Sequence, residues 1–158
     1  MNLYHGTNAI IETPNLKFSR KELDFGAGFY TTTNYEQAAQ FSEKVVERDG
    51  GGKVVNIYDF DGARLRELKV LEFLEPDKEW LDFVAANRTS APVRGDCDII
   101  IGPVANDDVF RTLTLYFAGQ LDAGETLNRL KIKKMFNQYV FKSDTALKRL
   151  SFVKGEYI

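Results

Sequence analysis

The 158-residue chain is 44% hydrophobic and 13% aromatic, which supplies a core for one domain and argues against disorder. A formal net charge of −2 excludes a general attraction to nucleic acid or to anionic membranes. The single cysteine, Cys97, and the single histidine, His5, exclude an intrachain disulfide framework and a dedicated zinc site. No apolar run is long enough to span a bilayer and no secretory leader is visible, so a cytoplasmic protein is expected.

In chain order, "NLYHG" reads as a short strand ended by Gly6, and Thr7 or Asn8 as the cap of a brief helical turn through Ile10 and Ile11. Residues 15–27 are polar and glycine-containing, and read as a loop. "GFYTTT" is aromatic and β-branched, hence a strand. Asn34 caps a helix in which Ala38, Phe41 and Val45 share a face, and "DGGG" stops it. "KVVNIYDFD" and "LKVLEF" are strands, and Pro76 and Asp77 start a helix through Trp80, Phe83 and Val84. After a break at "APVRGD", the run "CDIIIG" predicts a strand buried on both sides. A helix from Asp107 or Asp108 through Phe110 and Leu113 follows, then another over Thr126 to Met135. "NQYVFKS" is a strand, residues 144–150 a short helix, and "SFVKGEY" the last strand. The intermingled order predicts a single α+β domain over residues 1–158.

Three short segments carry candidate chemistry. "LYHGT" places the only histidine beside a glycine, and an absent side chain at Gly6 would let a ligand approach the main chain. "FGAGFYTTT" places Tyr30 behind two glycines. "FNQYVFK" places Gln138 on a strand. Weaker candidates have ordinary readings beside them. Arg20 could meet a pyrophosphate or lie solvated in its loop. "RLKIKK" (129–134) could touch a phosphate or form a charged helix face. Asp96 and Asp98 could orient a site or simply mark a strand entrance, and "GPVAND" is a turn whose amides could face a cleft. Gly26 and Gly28 do not form a dinucleotide fingerprint, because no strand-to-helix GxGxxG is present.

Together the three segments resemble the ADP-ribosyltransferase superfamily, in the branch shared by diphtheria toxin and the poly(ADP-ribose) polymerases. With "DCDIIIGPVANDDVF" and "DTALKRLSF", the whole chain looks most like a bacterial family of unassigned domains within it. The resemblance implies two packed, mostly antiparallel sheets forming an NAD cleft flanked by helices. It implies a mono-ADP-ribosyltransferase that takes NAD as substrate, uses no metal and releases nicotinamide. His5 would bind a hydroxyl of the adenosine-side ribose, Gly6 the nicotinamide carboxamide through its main chain, and Thr7 and Arg20 would line the same site. Tyr30 would stack on the cationic nicotinamide, a cation–π contact of roughly 0.5–2 kcal/mol. The family's second stacking ring falls on Phe41, which could equally be a core aromatic of its helix.

The chain departs from the pattern at two places. Gln138 stands where the polymerases have a glutamate, giving a His-Tyr-Gln triad, and an amide can hold a ribose hydroxyl but cannot supply charge. Ala38 stands where they have a carboxamide-binding serine. The acceptor, protein or nucleic acid, stays unnamed, as does any neutralising antitoxin partner of a toxin or effector. A catalytically inactive NAD- or ADP-ribose-binding module is the alternative. A tRNA 2'-phosphotransferase, which also opens on His-Gly, is disfavoured by the sparse basic residues.

Overall fold

In the computed structural model, described for residues 1–17, 23–89, 96–103, 107–131 and 136–158, the chain is an α+β domain. The described residues form seven strands: β1 (Asn2–Thr7), β2 (Phe29–Thr32), β3 (Val54–Phe60), β4 (Val70–Glu72), β5 (Ile99–Pro103), β6 (Asn137–Phe141) and β7 (Leu150–Tyr157). They form one sheet in the order β4-β5-β6-β2-β1-β3-β7. Only β4 and β5 run parallel, and every other neighbour is antiparallel. The sheet corrects the expectation of two packed sheets. The four-stranded and three-stranded halves are joined through the pairing of Tyr4 with Thr32, which makes them one continuous sheet with a narrow junction.

Strand alternation builds two cores. Ile99, Ile101, Phe141 and Phe29 join Leu3, Tyr58 and Phe60 on one face, where α5 (Asp144–Leu147) adds Ala146 and Leu147. Ile100 and Val140 point the other way, under Trp80, Leu81 and Val84 of α2 (Lys78–Arg88), Val109 and Leu113 of α3 (Asp107–Phe117), and Leu130 of α4 (Ala123–Leu130). "IIIG" (99–102) is thus buried on both sides, as its unbroken apolar run requires.

α1 (Tyr35–Asp49) starts where Asn34 Oδ1 accepts the Gln37 amide and stops at Gly50, whose φ of +76° suits a residue without Cβ. Its buried residues are Ala38, Ser42 and Val45. Phe41 lies outside that row and is 47% exposed, so the expected core face of this helix is corrected by one position. The expected helical turn at Ile10 and Ile11 is also absent. Instead Asn56, fully buried, accepts from the Ile11 amide and donates to Ala9 O, and the Tyr58 hydroxyl donates to Ile11 O, so side chains of β3 take up the main-chain groups that a helical turn would use. α4 begins at Ala123, capped by Asp122, three residues before the expected start at Thr126, and 132–135 lie outside the described residues. A 3-10 helix over Gly62–Glu67 was not foreseen.

Candidate functional site

β6, β2 and β1 are consecutive in the sheet, and each carries one member of the sequence-derived triad: Gln138, Tyr30 and His5. Thr32 pairs with Gln138, Tyr30 with Val140, and Tyr4 with Thr32. The triad therefore sits at the middle of the sheet, around the junction of its halves.

His5 and Tyr30 meet there, but through the main chain of Tyr30. His5 Nδ1 lies 2.7 Å from the Tyr30 carbonyl oxygen. A carbonyl only accepts, so Nδ1 carries the proton and donates, which leaves Nε2 as an acceptor in the neutral ring. Burial lowers the His5 pKa below the ordinary histidine value, opposed by this hydrogen bond, so the imidazole is neutral at pH 7. The ring stacks on Phe29 at 4.4 Å. An imidazole thus spans β1 and β2 where the strands part beyond Tyr4 and Thr32.

The side chains divide between the faces. His5, stacked on Phe29, belongs to the first face, whereas Tyr30 packs against the second core. Gln138, two residues from Val140 on β6, points with Tyr30. The three residues share a neighbourhood and do not share one face.

Tyr30 is tied by its hydroxyl. That oxygen accepts from the Phe25 amide at 3.1 Å and donates to Gly26 O at 2.5 Å. Burial foremost, then the Asp24 charge, pushes the phenol upward, so it stays protonated and keeps donating.

Gln138 is 4% exposed, and its Nε2 has no hydrogen-bond partner. Opposite it, Thr32 Oγ1 donates to Gln37 Oε1 at 2.6 Å, and on its other flank Gly102 of β5 pairs with it. A buried amide donor without an acceptor carries a penalty of about 1–3 kcal/mol, and most such groups are satisfied in native proteins.

Gly6 packs against α1. A Cβ there would lie 1.8 Å from Ala38 O, so the missing side chain makes room for the backbone of α1. Its pairing with Val55 places its main chain in the sheet. Thr7 ends β1 opposite Val54, and its hydroxyl approaches Asn8 Oδ1 at 3.5 Å. Arg20 lies outside the described residues, as do most of "APVRGD" and the middle of "GPVAND". Asp98 is structural: its carboxylate accepts from Ser143 Oγ and the Lys69 amide, which lower its pKa. Asp96 pairs with Lys69 on the surface.

Residues 1–152 match the family described as protein of unknown function (DUF3990). The chain belongs to this family. No curated protein and no solved structure gives a significant match. Among the described residues of this DUF3990 chain, no group of three or more His, Cys, Asp or Glu could hold a metal ion, and no helix is long and apolar enough to cross a membrane.

Sequence reasoning missed the residues that brace the site: Thr32, Gln37, Asn56, Asp24, Arg88 and Lys142. Asp24 is buried and ion-paired with Arg88, whose guanidinium lies 4.6 Å from the centre of the Phe110 ring. A lysine directly after the apolar pair Val140 and Phe141 was the visible signal for Lys142.

Proposed function

We propose that this chain binds NAD at the β6–β2–β1 junction and transfers ADP-ribose to a protein or nucleic-acid acceptor, releasing nicotinamide. The observation that carries this reading is the orphaned Gln138 amide, a buried donor awaiting an acceptor oxygen of the kind a ribose hydroxyl offers. His5 supplies the complementary group, a neutral Nε2 that accepts from a hydroxyl. Because the two act from opposite faces, a ligand touching both has to pass between β1 and β2 beyond the Tyr4–Thr32 pair. Phe41, an exposed aromatic on the helix that packs against Gly6, offers a stacking surface outside the core.

In the reaction, the bond between the ribose anomeric carbon and the nicotinamide nitrogen breaks with its electron pair going to nicotinamide. The acceptor's nucleophile forms the new bond and gives up its proton. This chain's residues orient the ribose and hold it away from water. Gln138, neutral and donating through Nε2, holds the ribose but presents no negative charge to the developing cation.

The neutral amide also favours a second reading, a module that binds NAD or ADP-ribose without transfer. Calorimetry with NAD tests binding, and labelled NAD incubated with cell lysate tests transfer. Saturable binding with a labelled acceptor supports transfer. Binding without labelling installs the second reading, and no binding of either nucleotide refutes both.

A further inference from the structure

Lys142 follows β6 on the side of Val140 and Gln138, its stem beside Gly28, where an added Cβ would lie 3.2 Å from Lys142 Cδ. Its Nζ donates to Phe25 O at 2.7 Å. Burial lowers its pKa, the Cys97 thiol opposing. A half-buried ammonium set against a neutral carbonyl recovers little of its hydration, and an apolar side chain of similar length would serve stability better. Its placement makes sense through what the carbonyl belongs to.

Phe25 and Gly26 form a turn. The Gly26 amide bonds Leu23 O at 2.9 Å, and Gly26 has a φ of +69° that disfavours any Cβ. The Tyr30 hydroxyl bridges Phe25 N and Gly26 O. Asp24, one residue earlier, is anchored to Arg88 of α2. β2, α2 and the residue after β6 therefore each send one polar side chain into the three consecutive residues Asp24, Phe25 and Gly26. The same turn holds the Tyr30 ring from its hydroxyl end.

We propose that Lys142 is a positioning residue for the candidate site: by holding the Phe25 carbonyl it fixes the turn that bonds the Tyr30 hydroxyl, and so sets the Tyr30 ring for ligand contact. The proposal rests on the reading of the junction as an NAD site. Lys142 itself touches no ligand.

The test compares the full chain with Lys142→Met and Lys142→Arg, measuring NAD affinity by calorimetry, melting temperature, and hydrogen exchange of the Phe25 amide by NMR. Lys142→Met should melt no lower than the parent, exchange the Phe25 amide faster and bind NAD at least about tenfold more weakly. Lys142→Arg keeps a charged donor and should restore affinity to within about threefold. Should the methionine variant fail to fold, Lys142→Gln takes its place. Parent-like NAD affinity in a folded Lys142→Met or Lys142→Gln overturns this proposal alone. Weakened binding in the arginine variant equal to that in the methionine variant also overturns it, as would an unchanged Phe25 exchange rate. Absence of NAD binding by the parent overturns the site reading, and this proposal with it.

Discussion

Replacing Gln138 by methionine should make the protein more stable and less able to bind NAD. The side chain is 4% exposed, and its Nε2 has no acceptor. Leaving such a donor unpaired costs about 1–3 kcal/mol. Methionine has a similar length and flexibility and fills the space without the amide. A gain of about 1–2 kcal/mol follows, which for a chain of this size is a rise of about 2–8 °C in melting temperature. Over the same substitution NAD loses a donor that only the bound state satisfies, and affinity should drop by about tenfold or more, the equivalent of about 1.4 kcal/mol. Differential scanning calorimetry reads the first effect and titration calorimetry the second. A variant that melts lower than the parent would show that the amide is satisfied within the protein. A variant that is more stable yet binds NAD as well as the parent would separate the orphaned amide from the ligand. Opposed shifts are the signature of a group kept for function at the expense of stability.

The remaining predictions address the residues around Gln138. Tyr30→Phe removes the hydroxyl that bridges Phe25 and Gly26 and should destabilise by about 1–3 kcal/mol, read as a lower denaturation midpoint; an unchanged midpoint would leave the bridge without energetic weight. Gly6→Ala forces a Cβ to within 1.8 Å of Ala38 O and should cost about 3 kcal/mol or more by displacing α1, seen as a large fall in melting temperature. His5 is the only histidine, so its NMR titration is unambiguous and should fall below about 6.5. Because the fold favours the neutral ring, the unfolded chain takes up the proton first. The His5 contribution to stability is therefore complete above about pH 6.5 and declines as pH falls toward the folded value. His5→Asn, which does not titrate, should flatten that part of the profile, and an unaltered slope would assign it to other groups. Gln138→Glu should raise hydrolysis of NAD to free ADP-ribose, measured by chromatography, because a carboxylate activates water and an amide does not.

Periodicity and capping made much of the fold legible. The "CDIIIG" run announced a strand buried on both faces, and Asn34 and the glycines after Asp49 announced the ends of α1. Long-range choices were less visible. Whether β1 and β2 pair depends on Tyr4 meeting Thr32 across the sheet, a contact no local pattern encodes, and so one sheet was read as two. Phe41 satisfied a helical spacing, but the helix buries Ser42 in its place because Gly6 admits the backbone so closely that a small residue fits there. The segment after β1 looked helical because its residues allow it, whereas Asn56 and Tyr58, some 45 positions away, take up its main-chain groups. At the candidate site, the triad was legible as residue types in order, and its placement on adjacent strands followed from strand assignment plus topology. The division of its side chains between faces was not legible, since that needs the register. Nor was the reason for Gly6, which the helix explains.

The charge distribution around the junction shapes the chemistry that the proposed reading allows. His5 is neutral by burial and Gln138 by identity. Among the described residues, the charged side chains Asp24, Arg88 and Lys142 nearby are bound to each other or to the Phe25–Gly26 turn. The triad itself therefore brings no negative charge to a sugar that becomes positive as its bond to nicotinamide breaks, and no base strong enough to deprotonate water. Hydrolysis needs both aids, whereas attack by a good nucleophile needs less activation and can bring a carboxylate of its own. On this reading the neutral triad is a selective device: NAD survives in the site until an acceptor supplies what Gln138 does not. Specificity then resides in the acceptor surface, and a small-molecule assay with water as the only acceptor would understate the protein's activity.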